Sequence, residues 1–198
     1  IVESRCEQLT KEKLLWATSI NPTFTVAIGL EAYDDEVLRF HINKGFSTRA
    51  WDRAIENLRN FNIRIKTYLM FKPPFMSERD ALDHGVRWIK DVADRSDEIS
   101  VNPMNIQRGT VIDRLHRNNE YRPPWLWSLV EMIKQAHPFI YPEGGVNGSP
   151  DQVCRLIIHP TAGGKIRGAH NCGSCDKFVV AAIERYAVSG DLREFEGL

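Results

Sequence analysis

The chain has 198 residues, 42% hydrophobic and 26% charged, a balance that excludes a disordered polymer and suits one or two domains with a buried core. Its 26 basic residues are matched by 26 acidic ones, so no overall positive field draws in nucleic acid, and any such contact must come from local patches. The apolar runs, of which Phe178 to Ile183 is typical, fall far short of the roughly 20 residues that span a bilayer, so no membrane partner is expected. Four cysteines, two of them in one Cys-x2-Cys pair, are too few for a secreted disulfide scaffold and suit a reducing cytoplasm. The start, Ile1-Val2-Glu3-Ser4-Arg5, has neither Met nor the basic-then-apolar pattern of a leader, and reads as the interior of a longer chain.

In chain order, Ile1 to Cys6 suits a short strand, and Thr10 can cap a helix carrying Leu14, Leu15 and Ala17. Thr25 to Leu30 is nearly all apolar and rich in β-branched residues, the mark of a strand buried in a parallel sheet, and it ends in Glu31. After a cap at Ser47 or Thr48, Trp51, Ala54, Ile55 and Leu58 recur as the stripe of a helix that covers a sheet. Ile63 to Phe71 reads as the next strand, stopped by Lys72-Pro73-Pro74 because proline has no N–H for the ladder. Ser77-Glu78-Arg79-Asp80 matches a capping box, with Leu82, Val86, Ile89 and Ala93 on one helical face behind it. Glu98 to Asn102 suits a strand, and Asn105 to Pro124 a functional loop with one helical turn. Pro124 opens a helix that buries Leu126, Leu129, Val130, Ile133 and Ala136. A boundary is placed at Gly148, giving segments 1–147 and 148–198, the second with a strand from Val153 to Ile158 and a helix from Cys175 to Val188. Alternating strands and helices at this spacing specify βαβ units: an α/β chain with a parallel sheet and right-handed crossovers.

In parallel α/β folds ligands meet the protein at the carboxyl ends of the strands. Three such ends are polar here: Glu3-Ser4-Arg5, Glu31, and Lys72. A carboxylate beside a guanidinium can hold a ribose diol and an amino-acid carboxylate, and a structural ion pair at a barrel rim is the other reading. If the first holds, Arg5, Glu31 and Lys72 converge on one mouth. At the far end Cys172 and Cys175 can approach one ion across Gly173, His170 can add a nitrogen, and Cys154 completes four ligands if its strand lies beside that loop. An imidazole favours zinc over an iron–sulfur cluster, and unmetallated or disulfide-linked thiols are the third alternative.

Glu3-Ser4-Arg5, Ala27-Ile28-Gly29-Leu30-Glu31, Asn43-Lys44-Gly45-Phe46 and Tyr68 to Phe75 resemble, in order and spacing, the later barrel strands of radical S-adenosylmethionine (SAM) enzymes. Tyr121-Arg122-Pro123-Pro124-Trp125-Leu126-Trp127 and Ala162 through Cys175 resemble one archaeal subgroup, the radical SAM partner of archaeosine synthase, distantly similar to the elongator acetyltransferase subunit. The resemblance implies the C-terminal half of a partial (β/α) barrel followed by a small Cys/His module. It implies SAM on the side of Glu3, Ser4, Arg5 and Glu31, and a [4Fe–4S] cluster held by Cys-x3-Cys-x2-Cys upstream of Ile1, so that this stretch alone is inactive. The implied reaction breaks the lysine side chain away from a lysine-bearing 7-deazaguanine in tRNA, leaving the formamidine of archaeosine, with archaeosine synthase and tRNA as partners. Lys44, Arg49, Lys72, Arg108 and Arg122 are then candidates for substrate or phosphate contact, against the alternative of a solvated charged surface. Trp125 and Trp127 suit either base stacking or core packing. Another radical SAM substrate, or a zinc-stabilised module that binds tRNA or protein without catalysis, are the rival functions. A barrel open on one side also leaves a strand edge that self-association or the rest of the protein must cover.

Overall fold

The computed structural model describes residues 1–141 and 154–198. Five parallel strands form one sheet in the order β1-β2-β3-β4-β5: Val2–Ser4, Thr25–Glu31, Arg64–Phe71, Glu98–Pro103 and Arg155–Ile158. Sequential order with helical crossovers is the winding of a barrel rather than of a doubly wound sheet. Here it is a barrel left open, as the family resemblance implies. The boundary placed at Gly148 and the strand start at Val153 lie outside the described residues, and β5 pairs with β4 in the same sheet.

The helices are α1 (Lys11–Ile20), α2 (Thr48–Asn60), α3 (Glu78–Ala93), α4 (Val111–Arg117), α5 (Leu126–Ile140) and α6 (Asp176–Ser189). Their starts follow local chemistry: Thr10, Ser77 and Thr110 each accept a hydrogen bond from a backbone N–H three residues on, the contact an N-cap supplies. Elements not expected include a π-type helix at Val37–Ile42, 3-10 turns at Cys6–Gln8 and Leu192–Phe195, and two turns of α4 where one was read. The first has no apolar period to reveal it, since its hydrogen-bond spacing departs from 3.6 residues.

One core joins Trp51, Ile55 and Leu58 of α2, Trp88 and Ile89 of α3, and Leu129, Met132 and Ile133 of α5 to Ile65, Leu69 and Phe71 of β3. Gly85 lets α3 close on its neighbours, because a Cβ there would stand 3.1 Å from Met132 Sδ and 3.2 Å from the Phe71 ring. Along β3 burial alternates, with Ile65, Thr67, Leu69 and Phe71 buried and Lys66, Tyr68 and Met70 half-buried. One face of the sheet is therefore packed under helices, and the other is a concave surface of polar and small residues. That second face forms the site.

Candidate cofactor and substrate site

Parallel register places Glu3 beside Ala27, Ala27 beside Lys66, and Lys66 beside Glu98, so these residues form one cross-strand row on the concave face. Lys66 and Glu98 pair there at 2.6 Å. Two positions further on lie Gly29 and Tyr68, and then Glu31 and Asn102 toward the carboxyl ends. Above this floor is a cavity of about 610 Å³ lined by Glu3, Ser4, Arg5, Glu31, Tyr68 and Asn102, with Ala27 and Gly29 beneath. The volume is in the range that holds a small molecule or cofactor.

The rim is held by charge. Lys44 donates to Glu31 Oε1 at 3.1 Å, Arg5 donates to the Lys44 carbonyl at 3.1 Å, and both cations lie 5.5 Å from the centroid of Phe46. Arg5 also forks onto Glu7 through Nε and Nη2 at 2.9 and 2.8 Å, and the guanidinium beside Glu7 holds that carboxyl below its usual range. Tyr68 donates its hydroxyl to Glu3 Oε1 at 3.2 Å, and burial raises the phenol's pKa, so it stays a donor. Between Gly29 and Glu31 the register slips by one residue and Glu31 adopts φ 73°, which turns its carboxylate over the floor. A Cβ on Gly29 would sit 2.9 Å from Glu31 Oε1 and 3.1 Å from Lys44 Nζ. The pair therefore closes directly over a position with no side chain.

Glu3, Ser4, Arg5 and Glu31 thus line one cavity, and Lys44 joins them through its ion pair. Lys72 does not converge with them. Its amine donates to Glu78 Oε2 at 2.7 Å and to the Arg122 carbonyl at 2.9 Å, and its side chain is 8% exposed. Arg122 is likewise occupied, stacked over Trp125 at 3.5 Å from the centroid and donating to the carbonyls of Pro123 and His170. Both residues brace the turn before α5 instead of facing solvent. Arg108 and Arg49 are exposed. Trp125 and Trp127 are 40% and 41% exposed.

Sequence reasoning missed Tyr68 and Asn102, although the alternation Lys66, Tyr68, Met70 was there to be read as one face of β3.

The four thiol and imidazole groups are not assembled. Cys154 stands at the amino end of β5, and the charges of Asp97 and Glu98 reinforce the burial that lifts its thiol to about 12. The 170–175 loop follows the carboxyl end of β5, a strand length of roughly 13 Å away. His170 Nδ1 lies 2.9 Å from the Gly168 carbonyl, and Cys175 Sγ accepts from Asn171 at 3.3 Å. Among the described residues no cluster of three or more His, Cys, Asp or Glu could hold a metal ion. No described helix is long and apolar enough to cross a membrane.

An open parallel α/β barrel with a cofactor-sized polar mouth at its strand ends defines the class to which this chain belongs. A solved archaeal protein shares the fold: the Elp3 of Methanocaldococcus infernus with an N-terminal deletion matches 96% of this chain and 42% of its own, with TM-score 0.67 and 16% identity. No family model matches the chain. Among curated proteins, the archaeosine synthase subunit beta of Methanosarcina acetivorans is 36% identical over 191 residues, covering 96% of this chain and 52% of that protein. The protein of the same name from Thermococcus kodakarensis is 35% identical over 201 residues, covering all of this chain and 59% of that one. The chain is homologous to these archaeosine synthase beta subunits over nearly all its residues, and spans about half their length.

Proposed function

We propose that the chain is the C-terminal half of a radical SAM barrel whose whole protein completes archaeosine in tRNA. The observation that carries this is the mouth itself: Glu3, Ser4, Arg5, Glu31, Tyr68 and Asn102 around one cavity, in a homologue of subunits named for archaeosine synthesis. The residues fit SAM, because Ala27 and Gly29 leave the floor free for a nucleoside while carboxylates and a guanidinium at the rim match its diol and amino-acid ends. When bound, SAM and the [4Fe–4S] cluster supply the radical chemistry that the protein itself lacks. The cluster's ligands are outside this chain, which has no Cys-x3-Cys-x2-Cys.

Glu31 and Lys44 position each other over Gly29. Glu3 accepts from Tyr68 and keeps its second oxygen for the cofactor. The substrate in this reading is a lysine-bearing 7-deazaguanine, which loses its lysine side chain to become the formamidine, and the partner subunit of the synthase prepares it. Glu31→Gln in the intact protein is expected to weaken SAM binding about tenfold, the loss of one charge-assisted contact, read by calorimetry. Anaerobic reduction with SAM and lysine-adduct tRNA should then yield archaeosine, detected by nucleoside mass spectrometry. Adduct left unchanged beside an active partner subunit would remove the substrate assignment.

A further inference from the structure

A second cavity opens beside the first. It measures about 470 Å³, and its walls include Phe40, His41, Asn43, Met70, Phe75 and Met104. Unlike the first it is mainly apolar, and no carboxylate lines it. Met70 lies two residues beyond Tyr68 on the same face of β3, and Met104 two beyond Asn102, so the cavities are neighbours along the strands, about 7 Å apart. Asn43 also precedes Lys44, whose amine is on Glu31.

Two phenylalanine rings stand at its entrance largely uncovered, Phe40 at 64% and Phe75 at 62% exposure. Phe75 is held at φ 65°, a region that bulky residues avoid. Burial does not compensate for that conformation, because the ring faces outward. The imidazole of His41 lies edge-on to Phe75, with centroids 6.0 Å apart and planes at 83°, which steadies the ring. Asn43, Asn105 and Gln107 place amide donors and acceptors around an otherwise apolar space. Arg39 sits 5.0 Å from the centroid of Phe40, and the exposed Arg108 follows Gln107 in the turn leading to the wall residue Thr110. Flat exposed rings, edge-reading amides and flanking guanidinium groups with no acid between them match an unstacked base on a phosphate chain.

We propose that this cavity seats a purine-type base extruded from the RNA substrate, stacked on Phe75 and Phe40 and held next to the cofactor mouth. The assignment rests on the tRNA reading above and adds where the reacting base sits. A base taken out of its helix loses its stacking partners, and the protein must replace them. An apolar segment of the partner subunit is the competing occupant.

The test uses the intact protein and two tRNA-derived RNA hairpins that differ only at the modified position, one with guanine and one abasic, in fluorescence anisotropy. The guanine RNA is expected to bind roughly 5- to 150-fold more tightly, the span of one base–aromatic stack. Phe75→Ala should lower that ratio about fivefold or more, with the remainder carried by Phe40, while leaving the abasic affinity unchanged, and Phe75→Trp should keep it. Val111→Glu, at a wall position 54% exposed, should lower the ratio as well. Both sites are exposed, so the three variants are expected to melt with the wild type. Equal binding of both RNAs, an undiminished ratio in Phe75→Ala and Val111→Glu, or guanine-dependent binding abolished by the partner subunit seated at these rings would each overturn the seat. Failure of the intact protein to bind either hairpin would instead remove the tRNA reading from which it starts.

Discussion

Replacing Glu78 with glutamine tests how the strand ends are braced. Its Oε2 accepts from Lys72 at 2.7 Å and its Oε1 from the Trp125 backbone N–H at 2.8 Å, while Tyr121 donates to the Lys72 carbonyl at 2.7 Å. The change keeps shape and the Trp125 acceptor but leaves an ammonium with 8% exposure and only the Arg122 carbonyl beside it. The pair attraction at that distance is about 6 kcal/mol at an effective dielectric of 20, most of it offset by the desolvation of both ions. Removing one partner of such a pair costs about 3–5 kcal/mol, and the partial exposure of Glu78 puts this case near 3. In an intact protein about twice this length that lowers Tm by roughly 3–6 °C, measured by differential scanning fluorimetry. Lys72→Met should cost less, because the carboxylate it leaves retains Trp125 and solvent. The double variant should recover at least about 1 kcal/mol over the sum of the singles. Additive losses, or a Glu78→Gln change under about 1 kcal/mol, would mean the pair behaves as a surface bridge and the brace is not there.

Two further outcomes concern titrating groups. The Ser174 backbone and hydroxyl and the Cys175 N–H hold the exposed Cys172 thiol below its usual range, whereas burial lifts Cys6 and Cys154 to about 12. Iodoacetamide at mildly alkaline pH should therefore modify Cys172 first, and Cys6 and Cys154 only after unfolding, as peptide mass mapping will show. Comparable labelling of Cys154 in the native protein would place it at the surface and contradict the fold of β5. Asp113 accepts from Arg167 at 2.6 Å and from Gly109 N–H at 3.0 Å, and the Arg167 contact is the main reason its carboxyl titrates low. A folded value below the unfolded one means that the stabilisation is present above about pH 4 and disappears as pH falls through the folded value. Asp113→Asn should flatten the acid side of a Tm–pH curve, and an unchanged slope would discount the contact.

The helices were legible because their evidence is local. Trp51, Ala54, Ile55 and Leu58 repeat at the helical period, and Ser77 with Asp80 announces its own cap. Parallel topology followed from alternation of elements. What stayed hidden depends on distant partners: nothing near Lys72 tells that the Arg122 carbonyl, far along the chain, will join Glu78 in enclosing its amine, and Cys154 reads as a ligand only if strand direction is ignored. Tyr68 and Asn102 were missed for a different reason. The alternation of Lys66, Tyr68 and Met70 on β3 was legible, but only the open inner face of the sheet makes those positions, with Asn102 of β4, a candidate site.

Backbone conformation separates the two ends of the barrel in the same way. Among the described residues, those other than glycine at positive φ are Glu31, Asn43, Asn62, Lys72, Phe75, Asn119 and Ala162. Asparagine tolerates this region, and Asn62 simply terminates α2 before β3. The remaining four, Glu31, Lys72, Phe75 and Ala162, all lie at or beyond the carboxyl end of β2, β3 or β5. Each such residue costs on the order of 1–3 kcal/mol, and a sequence free to choose would place Gly or Asn there. The side chains account for three of the four: Glu31 caps the mouth with Lys44, Lys72 anchors the turn before α5, and Phe75 offers its ring at the second cavity, whereas Ala162 lies in a backbone turn closed by the Lys165 N–H on its carbonyl. Local rules are broken at the end of the sheet where the proposed sites lie and kept at the other, which is the pattern expected when position of a side chain outweighs comfort of the backbone.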